Sequence, residues 1–213
     1  MTAKEPREWH SDVISGATEG ALRGLQDAHL LDRFYLAGGT ALALQFGHRL
    51  SLDLDFFARD HFDEDALLQK MQALEGFALA AKAPYTLHAT ILRTKVSFLG
   101  YSYPLLFPTN SFLEVPIADP RDIACMKLSA IASRGAKRDF VDLYTCAERF
   151  GITEILRLFE RKYAQTNLNR THILKSLTYF TDAEKDPMPH MLVPLDWDRV
   201  KQFFRMEAPR LLR

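Results

Sequence analysis

The spacing of apolar residues along the chain changes from helical to alternating near residue 33, and back to helical after Pro116. Between residues 11 and 30, Val13, Ile14, Ala17, Ala21, Leu22 and Leu25 recur at helical spacing, which predicts an amphipathic helix with Ser11 as its cap. Arg33 to Ala37 reads as a short strand ending at Gly38-Gly39. Thr40 to Phe46 is rich in helix formers, with Thr40 as the candidate cap and Gly47 as the stop. Ser51 to Phe57 alternates, so Leu52, Leu54 and Phe56 are expected to face a core while Asp53 and Asp55 share the opposite face. Asp63 to Leu74 predicts a helix whose leading Asp63, Glu64 and Asp65 suit its positive end. Strands are predicted at 77–82, 86–92 and 94–99, a turn at Tyr101-Ser102-Tyr103-Pro104, and short strands at 105–107 and 112–115.

Beyond Pro116 the pattern is helical. Asp119 caps a helix that opens with Pro120 and turns Ile123, Cys125, Met126, Leu128, Ala130 and Ile131 inward. Further helices are expected over 138–150 with Gly151 as terminator, from Thr153, over 170–180, and over 196–205. The predicted fold class is α+β (mixed α/β): a mixed sheet with flanking helices over residues 1–117, then a helical region over 118–213 that completes the site.

At 213 residues the chain is long enough to bury a real core. Its 27 basic and 27 acidic side chains cancel, which argues against gripping nucleic acid by bulk charge. Cys125 and Cys146 fall on apolar helix positions and read as free buried thiols, with no Cys or His at zinc-ligand spacing. The N-terminal stretch from Met1 to His10 shows no apolar leader core, and no apolar run reaches the length of a membrane span, so a cytoplasmic location is expected.

The chemistry centres on Asp53 and Asp55. Two carboxylates side by side repel each other, and a bound cation relieves that repulsion. Oxygen ligands of this kind suit Mg²⁺ or Mn²⁺, metals commonly shared with substrate phosphates. With thirteen residues between Gly39 and Asp53, Gly38 and Gly39 stand between a strand and a helix, where backbone N–H groups point at an anion and Thr40 adds a hydroxyl. Together the two elements read as a phosphate-and-metal site.

A second constellation is Lys127, Arg134, Lys137, Arg138, Asp139 and Asp142. Lys127 sits on an apolar helix face, where a lysine needs a phosphate or carboxylate nearby. Asp139 and Asp142 are three apart and share a helix face, with Arg138 as a candidate partner.

These motifs, Ala37-Gly-Gly-Thr-Ala-Leu-Ala43, His48-Arg-Leu-Ser-Leu-Asp-Leu-Asp-Phe-Phe57, Lys127 and Arg138-Asp-Phe-Val-Asp-Leu-Tyr144, resemble the AbiEii/AbiGii toxin family over residues 33 to 146. That resemblance implies a nucleotidyltransferase-like fold of the DNA polymerase β type. It implies nucleotide binding by Gly38, Gly39, Thr40, Arg49, Ser51 and Lys127, metal ligation by Asp53 and Asp55, and catalytic roles for these two aspartates with Lys127 and Asp139. It further implies an NTP substrate, Mg²⁺ or Mn²⁺, an RNA acceptor such as tRNA, and a cognate antitoxin in a toxin–antitoxin or phage-defence pair.

One departure stands out. Nucleotidyltransferases of this fold commonly carry a third carboxylate on a neighbouring strand, yet Thr94 to Leu99 offers only Lys95 and Ser97 at the candidate positions. Glu114, on a later predicted strand, is the nearest substitute. Two further functions therefore stand beside transfer: a nucleotide-binding interaction protein without turnover, and a kinase-like phosphotransferase. Arg157, Arg161, Lys162, Arg170 and Lys175 form a candidate basic face for RNA, and the seven histidines, His48 and His88 among them, are expected at the surface.

Overall fold

A computed structural model describes residues 8–166 and 169–211, so most of the N-terminal stretch read for a leader, residues 1–7, lies outside the described residues. Among the described residues seven strands form one mixed sheet: β1 (Tyr35–Ala37), β2 (Leu54–Ala58), β3 (Ala78–Ala83), β4 (Thr86–Ile91), β5 (Thr94–Gly100), β6 (Asn110–Phe112) and β7 (Val115–Ile117). Their order is β3-β4-β5-β2-β1-β7-β6, with β2 antiparallel to β1 and parallel to β5. The aspartate strand is therefore central. Among the described residues the α-helices are α1 (Gly16–Asp27), α2 (Gly38–Phe46), α3 (Glu64–Met71), α4 (Pro120–Arg134), α5 (Lys137–Phe150), α6 (Ile152–Lys162), α7 (Arg170–Ser176) and α8 (Trp197–Arg210). The mixed α+β class read from the pattern is what the chain adopts, and among the described residues no helix is long and apolar enough to cross a membrane.

Local chemistry sets the helix ends. The Asp63 carboxylate accepts the Asp65 and Ala66 N–H groups at the start of α3, and Asp119 caps α4 ahead of Pro120. Gly47 stops α2 with φ of +66°, a left-handed conformation that costs glycine little. The first helix departs from expectation: Ser11 opens a single 3₁₀ turn, and Ser15 caps α1 by accepting the Thr18 N–H at 3.1 Å. Ala17 is exposed and Thr18 takes the inward position.

Three other expectations fail for identifiable reasons. Leu52 is 56% exposed because β2 begins only at Leu54, so strand alternation does not reach back to it. Residues 105–107 form no strand; the Leu106 and Phe107 N–H groups instead donate to the buried Asp122 carboxylate at 3.0 Å. The strand expected at 112–115 is the hairpin between β6 and β7, with Leu113 and Glu114 at φ of 50° and 63°. Glu114 is thus on an exposed turn beyond β1, on the far side of β2 from β5.

α2 joins the two halves. It packs on β1 and β2 with one side and on α4 and α5 with another, and its residues from Thr40 to Phe46 are all buried. Phe56 stacks on Phe98 across β2 and β5, with ring centroids 5.2 Å apart, fixing the sheet beneath the aspartates. Cys125 and Cys146 are free and buried, as their positions predicted.

Candidate active site

Asp55 lies inside β2, opposite Ala37 of β1 and in register with Ser97 of β5. Asp53 comes just before the strand. α2 starts at Gly38, immediately after β1, and Ala37 gives it no side-chain cap. Its first N–H groups and its dipole therefore present a positive end where β1 stops.

The glycines serve the site's own side chains. Gly38 adopts φ of +70°, and a Cβ there would stand 2.9 Å from Asp55 Oδ2. A Cβ on Gly39 would stand 2.2 Å from Arg49 Nη2. The close approach expected for a ligand is thus needed first by Asp55 and Arg49. Thr40 does not cap the helix: its buried hydroxyl donates to the Asp53 carbonyl oxygen, with Ser51 Oγ 2.8 Å away. It fastens the approach to the aspartates onto α2.

Behind this edge lies a buried charge network. Asp142, fully buried, accepts from Arg49 Nε at 2.7 Å and Nη2 at 2.8 Å, a bidentate pair. His48 Nε2 lies 2.9 Å and Lys127 Nζ 2.7 Å from the same carboxylate. Lys127 Nζ also donates to Asp139 at 2.8 Å, and Arg134 Nε donates to Asp139 Oδ2 at 2.8 Å. Lys127 is therefore held between two carboxylates, as its apolar surroundings demanded. Arg134 grips Asp139, where Arg138 had been expected; Arg138 is exposed.

Burial opposes ionisation of Asp142, but Lys127, Arg49 and the bonds from Arg49 and His48 outweigh it and hold the carboxyl well below its ordinary 3.8. Burial likewise opposes ionisation of Asp139, and Lys127 with Arg134 again lowers it. His48, expected at the surface, is buried, and burial depresses its pKa despite the Asp142 bond. A neutral His48 then donates its Nε2 proton to Asp142.

Among the described residues neither Asp53 nor Asp55 joins an ion pair, whereas Asp122, Asp139 and Asp142 all do. Their charges nonetheless reach the network: Asp53 helps raise the pKa of Arg49, after the larger effects of burial and Asp142, and Asp55 helps raise that of Arg134, held chiefly by Asp139. The pair suits Mg²⁺ or Mn²⁺: two hard oxygen donors at one strand end, in a site with fixed cations behind it, leave the remaining coordination to phosphate and water.

The family model described as "Nucleotidyl transferase AbiEii toxin, Type IV TA system" matches residues 20–111 and 96–211. The chain belongs to this family. The AbiEii chain is also 36% identical over 198 residues to "Uncharacterized protein aq_aa25" of Aquifex aeolicus (strain VF5), covering 90% of this chain and 94% of that relative. Among solved structures it resembles MenT4, nucleotidyltransferase toxin Rv2826c from Mycobacterium tuberculosis H37Rv, with a TM-score of 0.57 at 18% identity, covering 93% of this chain and 86% of that one. JHP933 from Helicobacter pylori gives a TM-score of 0.50 at 17% identity, covering 93% of each. At these identities the structural likeness is one of fold. Family membership makes the protein a nucleotidyltransferase of a toxin family, as the motifs implied.

The residues assigned to nucleotide, metal or catalysis in advance converge on one region: Gly38, Gly39 and Thr40 on α2, Arg49, Ser51, Asp53 and Asp55 on the following segment, and Lys127 and Asp139 from α4 and α5, whereas Lys137 bonds Asp186 and Arg138 is exposed. Three members of the network were not assigned a role in advance. Asp142 meets Arg49, His48 and Lys127, while Arg134 grips Asp139 and His48 meets Asp142. The signal for Asp142 was present, since a second acid three residues from Asp139 on an otherwise apolar helix face demands buried cations.

Proposed function

We propose that this AbiEii protein transfers a nucleotide from an NTP to a hydroxyl of RNA, with tRNA the leading candidate, in a reaction that requires Mg²⁺ or Mn²⁺. In this reading it is the toxin of a cytoplasmic toxin–antitoxin or phage-defence pair, opposed by a cognate antitoxin protein. The observation that carries the proposal is the Asp53/Asp55 pair, left out of the ion-pair network and set beside the uncapped start of α2.

The triphosphate lies at the N-terminus of α2, where the Gly38 and Gly39 N–H groups donate to it and Ser51 adds a hydroxyl. Arg49 and Lys127 supply fixed positive charge, and Asp139 and Asp142 hold both side chains in place. Asp53 and Asp55 would hold the cation, which when bound would supply positive charge to the triphosphate and its departing pyrophosphate. Asp139 orients Lys127 and Arg134; a carboxylate held below its ordinary range by two cations is a poor proton acceptor.

The acceptor side rests on fewer residues than the sequence offered. Lys162 is fully buried, donating to Asp122 at 2.8 Å and to the Pro104 carbonyl at 2.6 Å, so it leaves the basic face. Arg157 is paired to Glu154 and Arg170 to Glu160, while Arg161 and Lys175 are exposed.

The test is incubation with each α-labelled NTP, bulk tRNA and Mg²⁺. Label should enter RNA, and chelation or Asp53→Ala should abolish it. Measurable nucleotide binding without transfer from any of the four NTPs would overturn the proposal and favour a partner protein without turnover.

A further inference from the structure

The place of the missing third acid is occupied by a hydrogen-bonded pair. Asp55 on β2 is in register with Ser97 on β5, and Ser97 is in register with His88 on β4. Residues paired in this way project from the same sheet face, with neighbouring strands about 4.8 Å apart. His88 Nδ1 lies 3.1 Å from Ser97 Oγ, and both residues are half-buried, sealed from neither solvent nor ligand. Asp55, Ser97 and His88 thus form a row across the sheet that starts at the metal pair. Glu114 is on an exposed turn at the other side of the sheet, and Asp139 is committed to Lys127 and Arg134.

We infer that Ser97 and His88 together replace the third carboxylate as the proton acceptor for the attacking hydroxyl. The inference rests on the nucleotidyl transfer proposed above. The Ser97 oxygen takes the proton of the acceptor hydroxyl while the Ser97 proton passes to His88 Nδ1. The acceptor oxygen bonds to the α-phosphorus, the bond from that phosphorus to the pyrophosphate oxygen breaks, and His88 ends as an imidazolium. Serine alone is no base near neutrality; histidine is the side chain suited to that task. Ser97 touches the acceptor, and His88 acts through it as a positioning residue.

Four proteins test this: the unaltered chain, His88→Ala, Ser97→Asp and the double variant. Three quantities are read: single-turnover transfer to bulk tRNA from whichever α-labelled NTP labels best, the dissociation constant of that nucleotide, and Mn²⁺ affinity by electron paramagnetic resonance. His88→Ala should slow transfer about 100-fold and leave nucleotide and Mn²⁺ affinities within about twofold. Ser97→Asp restores a carboxylate next to Asp55, so the double variant should recover transfer to within about tenfold of the unaltered chain. Undiminished transfer by His88→Ala overturns the inference alone. So does weakened Mn²⁺ binding in that variant, which would make His88 a ligand, or failure of Ser97→Asp to rescue it. A nucleotide found covalently on Ser97 would also overturn it. Absence of transfer by the unaltered chain overturns this inference and the proposed function together.

Discussion

Asp142→Asn separates the acids that hold the site together from those proposed to act in it. The substitution keeps the size of the side chain, removes its charge and turns one acceptor oxygen into a donor. Arg49 loses its bidentate partner, and Lys127 loses one of two carboxylates, in a place where Asp142 has no exposure. Breaking a buried ion pair from one side costs about 3–5 kcal/mol. Lys127 keeps Asp139 at 2.8 Å and Arg49 keeps the Leu50 carbonyl at 2.9 Å, which favours the lower end, about 3 kcal/mol. For a domain of this size that lowers the melting temperature by about 6–12 °C. Urea unfolding should show the loss as a lower midpoint at unchanged slope. The pH dependence has a definite sign. A carboxyl depressed in the folded state contributes stability that is complete above the ordinary value of 3.8 and is lost as pH falls below it through the folded value. The difference between the unaltered chain and Asp142→Asn should therefore hold steady from pH 8 to 5 and shrink below pH 3.8. Asp53→Asn supplies the contrast: it breaks no ion pair among the described residues and relieves repulsion with Asp55, so stability should change by about 0.5 kcal/mol or less while transfer is lost. A change below about 1 kcal/mol in Asp142→Asn, or equal losses in both variants, would refute the division.

Gly39→Ala should push the Arg49 guanidinium off Asp142, because the new Cβ would meet Nη2 at 2.2 Å. The lost charged hydrogen bond, about 1.5–3 kcal/mol, outweighs the gain of about 1 kcal/mol from alanine in a helix; denaturant midpoints and nucleotide affinity should both fall. Lys162→Met should destabilise the fold by about 3 kcal/mol, by leaving Asp122 buried without its ammonium partner, yet leave tRNA affinity within about twofold of the unaltered chain in a filter-binding assay.

Much of the fold is visible in short-range patterns. Strand alternation located β2, β4 and β5, and Asp63, Asp119, Gly47 and Gly151 marked element ends because caps and terminators act over a few residues. The failures are long-range. Leu52 reads as a strand residue until the register of β1 and β2 shows where pairing begins. Residues 105–107 lose their strand to Asp122, a partner fifteen residues on. Lys162 looks like a surface lysine on α6 until Asp122 and Pro104 are brought to it. In the site, Asp53, Asp55 and Gly38 are close in sequence and were legible together. His48 and Asp142 are 94 residues apart, and only the packing of α5 on α2 joins them. The Ser97–His88 pair depends on the β4–β5 register, which residue type does not reveal.

In the proposed reaction the Asp53/Asp55 site passes the α-phosphoryl group of an NTP, with its nucleoside, to RNA. Parallel reactions with α-labelled and γ-labelled NTP on the same tRNA test it most directly. Label should enter RNA from the α-position only, with one pyrophosphate released per nucleotide added and neither product from Asp53→Ala. Label entering RNA from the γ-position, or transfer that persists in Asp53→Ala, would contradict it.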